Sequence, residues 1–113
     1  MPIAPFEIST SPGSNYLVKL VDARRGTEVM DVFVRGGQRV EVQVPLGTYV
    51  LKYASGATWH GYDYLFGPST DYNRAGTTFE FRQEGYRIMG HTVTLYRVTN
   101  GNMQTRRLTP AEF

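Results

Sequence analysis

Residues 44–68 read VPLGTYVLKYASGATWHGYDYLFGP, and the way this stretch is punctuated decides the fold class. Pro45-Leu46-Gly47 is a tight turn, with proline pre-set for its first corner and glycine free to take the positive backbone angle of a type II turn. Thr48 to Tyr53 then alternates, placing Tyr49, Leu51 and Tyr53 on one face, which is the period-two mark of a half-buried strand. Ser55-Gly56 breaks the strand. Beyond it lies the densest aromatic cluster of the chain: Trp59, Tyr62, Tyr64 and Phe66.

The residues before this stretch read as strands leading into it. Asn15 to Asp22 carries Tyr16, Val18 and Leu20 on one face and Leu17 and Val21 on the other, so this strand is a candidate for burial on both sides. Ala23 to Thr27 is a turn, and Glu28 to Val34 groups Met30, Val32 and Val34. Gly36-Gly37 is the strongest hairpin signal, since two glycines supply the positive angles of a primed turn. The strand after it sets Val40, Val42 and Val44 inward and Arg39, Glu41 and Gln43 toward water. Residues 1–14, MPIAPFEISTSPGS, hold three of the six prolines. They read as an extended entry segment with Phe6 to Ile8 docking on a sheet edge, where proline is tolerated.

After the stretch, alternation stops between Ala54 and Gly76. Four glycines and a proline break any helix there, leaving a long loop with, at most, a short strand at Thr58 to Tyr62. Loops of such length within one domain are usually functional or disordered, and five aromatics between Trp59 and Tyr72 argue for order. Thr77 to Arg82 resumes as a strand with Phe79 and Phe81 inward. Gln83-Glu84-Gly85 turns the chain, and a longer strand runs from about Arg87 to Thr99 with Gly90 as a bulge. Asn100-Gly101 is a favoured two-residue hairpin turn, returning the chain as Asn102 to Leu108 before a short tail.

The whole is an all-β, mostly antiparallel β-sandwich of about seven or eight short strands, because two- and three-residue turns cannot join parallel strands. Residues 15–113 form a single domain, as expected for a chain of 113 residues. The expected core comprises Val18, Leu20, Val32, Val40, Val42, Tyr49, Leu51, Phe79, Phe81, Val93 and Leu95. With 41% hydrophobic and 13% aromatic residues the composition is that of a globular protein able to bury a core without staples. There are no cysteines, which excludes disulfides and thiolate metal sites. A net charge of +2, carried by ten arginines and two lysines, is too weak and too scattered to indicate nucleic acid. No apolar run is long enough to span a bilayer, and residues 1–15 lack the basic start and apolar stretch of a secretion signal.

VPLGTYVLKYASG resembles the small prealbumin-like β-sandwiches, including PEGA-type and carboxypeptidase-regulatory-like modules, in which a strand meets a Pro-X-Gly-(Thr)-Tyr turn. A resemblance covering nearly the whole chain is carried by SNYLVKLVDA, VFVRGG, the 44–68 stretch and LYRVTNGN. These look like an uncharacterised bacterial β-domain family whose longer members carry membrane-anchoring or zinc-ribbon segments upstream. The resemblance implies a prealbumin-like fold and carries over neither an activity nor a ligand.

The chemistry the sequence offers is sparse. Nucleophilic catalysis requires a nucleophile, a base and an orienting group that meet in space, and the two histidines, His60 and His91, lie in no such motif. The expectation is a protein that is not an enzyme. His60, His91, Asp63, Asp71 and Glu84 lack zinc spacing and an EF-hand loop, so no metal or cofactor is expected. Gly36, Gly37, Gly47 and Gly56 are turn residues, since no lysine and helix start follow them. Arg106 and Arg107 beside Arg97 form a small basic patch or pair across strands with Glu80 or Glu84.

The 59–72 loop remains. Its rings offer flat apolar contact at low entropy cost and its acids accept hydrogen bonds, as a sugar- or peptide-binding surface requires. The candidate contact residues are Trp59, Tyr62, Asp63, Tyr64, Asp71 and Tyr72. The alternative is that the rings fold back and cap the open end of the sandwich, with Trp59 and Phe66 assigned to the cap and Tyr62, Asp63 and Tyr64 to the surface. The functional expectation is a non-catalytic accessory binding module for a protein or glycan. Its competitor is a structural or assembly domain acting through edge-strand pairing or oligomerisation.

Overall fold

The computed structural model describes residues 2–95 and 105–113. Ten strands follow one another in the described chain: β1 Pro2–Thr10, β2 Asn15–Asp22, β3 Glu28–Val34, β4 Arg39–Pro45, β5 Gly47–Gly56, β6 Asp71–Ala75, β7 Phe79–Glu84, β8 Arg87–Met89, β9 His91–Leu95 and β10 Thr105–Arg107. They form two sheets, one of three strands in the order β4-β1-β9 and one of seven in which β10-β6-β5-β2-β3 is the main path. β7 joins that path by pairing with β5 at Gly47–Tyr49, while β6 takes the other half of the same β5 edge at Lys52–Ser55. β8 completes the seven by pairing with β7. Pairing is antiparallel throughout except for β1 with β9. The fold is an all-β sandwich.

Alternation places the core between the sheets. Phe6 and Ile8 from β1, Tyr16, Val18 and Leu20 from β2, Tyr49, Leu51 and Tyr53 from β5, Phe79 and Phe81 from β7, and Val93 and Leu95 from β9 are all buried together. Of the expected core, Val32, Val40 and Val42 are half-buried and pack against this cluster. Removing a large side chain's apolar surface from water is worth roughly 1.5–3 kcal/mol, so these rings and branched chains dominate the cohesion between sheets. Phe6 and Phe81 meet edge to face at 5.6 Å and so join the two sheets directly.

Two local readings need correction. Gly36-Gly37 does not close a hairpin: β3 belongs to the larger sheet and β4 to the smaller, so the chain changes sheets there. Gly37 has the expected positive φ of 75°, while Gly36 is glycine for another reason. A Cβ on Gly36 would lie 2.2 Å from the Ser14 carbonyl oxygen. Gly90 is likewise no bulge. It separates β8, held by β7 in the larger sheet, from β9, held by β1 in the smaller, and its Cβ would lie 2.2 Å from the Pro5 carbonyl oxygen. The turn at Leu46 makes a third crossing, from β4 to β5. Corners where a strand passes from one sheet to the other require this kind of local relief.

Despite its prolines, β1 is not at a sheet edge and lies between β4 and β9. The prolines are accommodated because β9 pairs with β1 only from Phe6 onward, so Pro5 meets no partner on that side that needs its missing N–H. The strand expected at Thr58 to Tyr62 is irregular chain, and part of the expected loop is a strand instead, β6. The far end of the long strand to Thr99, Arg97, the Asn100-Gly101 hairpin and Asn102 lie outside the described residues.

Candidate functional site

The outer face of the larger sheet carries a second, smaller cluster. Leu17 on β2 and Ala54 on β5 point away from the main core and are fully buried beneath Phe66, with Trp59, Leu65, Tyr72 and Phe113 packed around them. This is the double-sided burial expected of β2. The aromatic residues therefore cap a sheet face, and the open end of the sandwich is not where they sit. Two short segments cover the face: the 57–70 loop on one side and the tail ending at Phe113 on the other.

The loop is tightly tied. The His60 amide donates to the Leu65 carbonyl at 2.7 Å and the Leu65 amide donates to the Gly61 carbonyl at 2.7 Å. Leu65 sits at φ 51°, a left-handed conformation that side chains beyond Gly, Asn and Asp seldom adopt. A 3₁₀ turn, Gly67–Ser69, follows and is closed by the Thr70 hydroxyl, which donates to the Gly67 carbonyl at 2.6 Å and accepts from the Phe66 amide at 3.1 Å. The Asn15 amide anchors the start of the loop, donating to the Ala57 carbonyl at 2.9 Å while its oxygen accepts from the Gly36 amide at 3.1 Å. Gly56 lets the loop lie down. A Cβ there would sit 2.3 Å from Cβ of Phe66.

The six candidate residues fall into three places. Trp59 is half-buried and Tyr62 stands edge to face on it at 5.2 Å. Asp63 and Tyr64 form the exposed tip, with Tyr64 at 73% and Tyr62 at 66% exposure. Asp71 and Tyr72 belong to β6. The Arg107 guanidinium on β10 donates to Asp71 at 2.9 Å, and the Tyr72 ring packs tilted at 5.4 Å against Phe113. Trp59, Tyr62, Asp63 and Tyr64 thus form one rim, while Asp71 and Tyr72 serve the tail side of the same sheet face.

Sequence reasoning missed three contributors. Phe33 on β3 lies 5.3 Å from Trp59 and 6.3 Å from Phe66, so the aromatic group continues from the loop onto the strand. Asp31, two residues back on the same face of β3, accepts a hydrogen bond from the Tyr62 hydroxyl at 3.2 Å. That bond and the carboxylate's charge hold the Tyr62 phenol above its usual pKa. Phe113, in the short tail, is held by Lys19, which lies 4.0 Å over its ring and donates to its main-chain oxygen at 3.1 Å. Lys52 adds a 2.6 Å bond to the Glu112 carbonyl. The signal for β3 is present in Asp31 and Phe33, an acidic-aromatic outer face on a strand whose inner face carries Met30, Val32 and Val34.

His91, Arg82 and Arg107 are held in structural contacts. The His91 ring packs edge to face on Phe81 at 4.7 Å, with Nε2 donating to the Glu80 carbonyl at 2.7 Å. Arg82 pairs with both Glu80 and Glu84, so the partner of Arg107 is Asp71 in place of those two acids. Among the described residues no group of three or more His, Cys, Asp or Glu is placed to hold a metal ion, and no helix is long and apolar enough to cross a membrane. Comparison of the chain with family models, with curated proteins and with solved structures finds no match.

Proposed function

We propose that this chain is a non-catalytic binding module whose partner contact centres on the 59–72 loop, at the rim formed by Trp59, Tyr62, Asp63 and Tyr64. One observation carries the reading: a loop pinned by a buried anchor, Phe66 at 3% exposure, holds two tyrosines at 66% and 73% exposure beside it. The two exposed rings adjoin half-buried Trp59 and through it Phe33, so the loop presents a contiguous aromatic patch of the kind that marks an interaction surface. Recognition by loops on a rigid β scaffold needs this combination of fixed backbone and presented side chains. Tyrosine suits the role because it adds contact area with few rotatable bonds. The partner is a protein or a glycan.

The test is a titration of the isotope-labelled domain with glycans, peptidoglycan fragments and synthetic peptides, followed by amide chemical shifts. The reading expects the confirmed ligand to shift amides between Trp59 and Tyr72. Shifts confined to another face, such as the β7–β8 hairpin, overturn it.

A further inference from the structure

Strand β3 ends the main path of the larger sheet and, among the described residues, has β2 as its one strand partner. Its other edge therefore offers a row of backbone N–H and C=O groups, the template on which a further strand adds. Asp31 and Phe33 alternate outward, Phe33 37% exposed, and Val29, at the bulge where the register with β2 shifts, is 39% exposed. Phe33 and Asp31 are also the residues that touch the loop rim, through Trp59 and Tyr62. The β3 edge and the loop rim are thus continuous.

We infer that β3 and the Trp59–Tyr64 rim form one docking site for an extended peptide that adds as a strand to β3 and lays basic side chains on the rim; this rests on the loop-centred reading above. The charge of the surface selects the basic character. Asp31 and exposed Asp63 flank the rings, and Glu28 begins the strand. Lys19, on the neighbouring strand, is drawn to Glu28 at 3.6 Å and to the Phe113 main chain, while Lys52 and Arg74 lie on the same outer face but on strands farther from the β3 edge. A lysine stem or an arginine plane gains from both the rings and the carboxylates.

Ring geometry argues against a sugar chain. Trp59 stands at 89° to Tyr62 and at 63° to Phe33, so the rings form a stepped surface in place of the common flat platform that stacked sugar rings require. Self-pairing is also disfavoured. A symmetric antiparallel β3–β3 seam centred on the strand sets Asp31 opposite Asp31 of the second copy, and like charges across strands repel.

The experiment titrates the labelled domain with a synthetic eight-residue peptide alternating valine and lysine, with its valine–glutamate counterpart, and with a valine–lysine peptide carrying proline at its centre. The inference expects the first peptide to shift amides in β3 and at Tyr62–Tyr64, with affinity falling as salt is raised. It expects the glutamate and proline peptides to bind weakly or not at all, and Asp31→Asn to weaken the lysine peptide about two- to fivefold while leaving the melting temperature unchanged. Equal binding of the lysine and glutamate peptides, shifts mapping to the β4 or β9 edge, or dimerisation of the free domain through β3 in sedimentation overturns the inference. Glycans shifting the loop while the lysine peptide shifts nothing overturns it too, and leaves the binding-module reading standing. Shifts in β3 with none in the loop overturn the joint site and the loop-centred reading together.

Discussion

The Tyr49 hydroxyl donates a 2.8 Å hydrogen bond to the Pro45 carbonyl, tying the two sides of the corner where β4 of one sheet becomes β5 of the other. Burial holds the phenol above its ordinary pKa, so it stays protonated and able to donate. Tyr49→Phe removes the bond and leaves the ring, and the expected loss is about 0.5–1.5 kcal/mol in urea unfolding. A smaller change would mean that the corner is held by packing alone.

Gly47 lies inside that corner at φ 156°, and a Cβ there would meet the Tyr49 hydroxyl oxygen at 3.1 Å. Leu46, next to it, is 40% exposed. Gly47→Val is therefore expected to destabilise far more than Leu46→Val, because the first adds strain and a clash while the second alters a surface side chain. Equal shifts in urea midpoint at the two positions would refute the corner assignment.

Gly90→Ala forces a methyl group toward the Pro5 carbonyl oxygen, 2.2 Å from the ideal Cβ. Main chain cannot swing aside as a side chain can, so the cost should be at least about 2 kcal/mol. Tyr86→Ala, at the fully exposed tip of the β7–β8 hairpin, should change stability by less than about 0.5 kcal/mol. A near-neutral Gly90→Ala would show that β9 does not lie against β1 at Phe6.

How far the sequence was legible turns on these glycines. Tyr49, Leu51, Phe79 and Phe81 were assigned inward from alternation alone and are buried, because a strand with one wet face must alternate. Gly36-Gly37 and Gly90 were visible as irregularities and misread in kind. A hairpin, a bulge and a change of sheet all call for glycine, and which one occurs depends on a neighbour distant in sequence, here Ser14 or Pro5. β1 was hidden by its prolines, whose tolerance depends on where β9 begins to pair. In the site, the division between Phe66 and Tyr62 or Tyr64 was legible, whereas Phe33 and Phe113 were not, since nothing local says that a strand's outer face or a tail will meet the loop.

Acid should loosen the turn between β2 and β3. The amides of Arg25 and Arg24 both donate to one carboxylate oxygen of Asp22 at 2.9 Å, and these bonds hold the Asp22 carboxyl below its usual range. A carboxyl with a lowered folded pKa contributes stability that is present above its unfolded value, about 3.9, and is lost as pH falls through the lower folded value. Asp22→Asn keeps an acceptor oxygen and cannot titrate. The gap in melting temperature between wild type and Asp22→Asn should therefore narrow as pH is lowered from about 5 to 2. A gap independent of pH would show that the charge plays no part.

Phe66→Ala empties the centre of the outer cluster, where Phe66 is 3% exposed over Leu17 and Ala54, and should cost about 3–5 kcal/mol. Gly56→Ala tests the same seat from below, since its added methyl group would displace the Phe66 side chain. Both variants should raise amide exchange across residues 57–70. Protection unchanged in both would mean that the loop is held by its own hydrogen bonds.

The central claim is that the loop divides into a buried anchor and a rim left available to a partner. The most direct measurement is the melting temperature of the Tyr62→Ala, Tyr64→Ala double variant. A free rim gives a shift below about 4 °C for a domain of this size, the losses being the Tyr62–Asp31 hydrogen bond and the edge contact of Tyr62 with Trp59. A fall of about 8 °C or more would show that the tyrosines hold the fold together, and would contradict the rim as a binding surface.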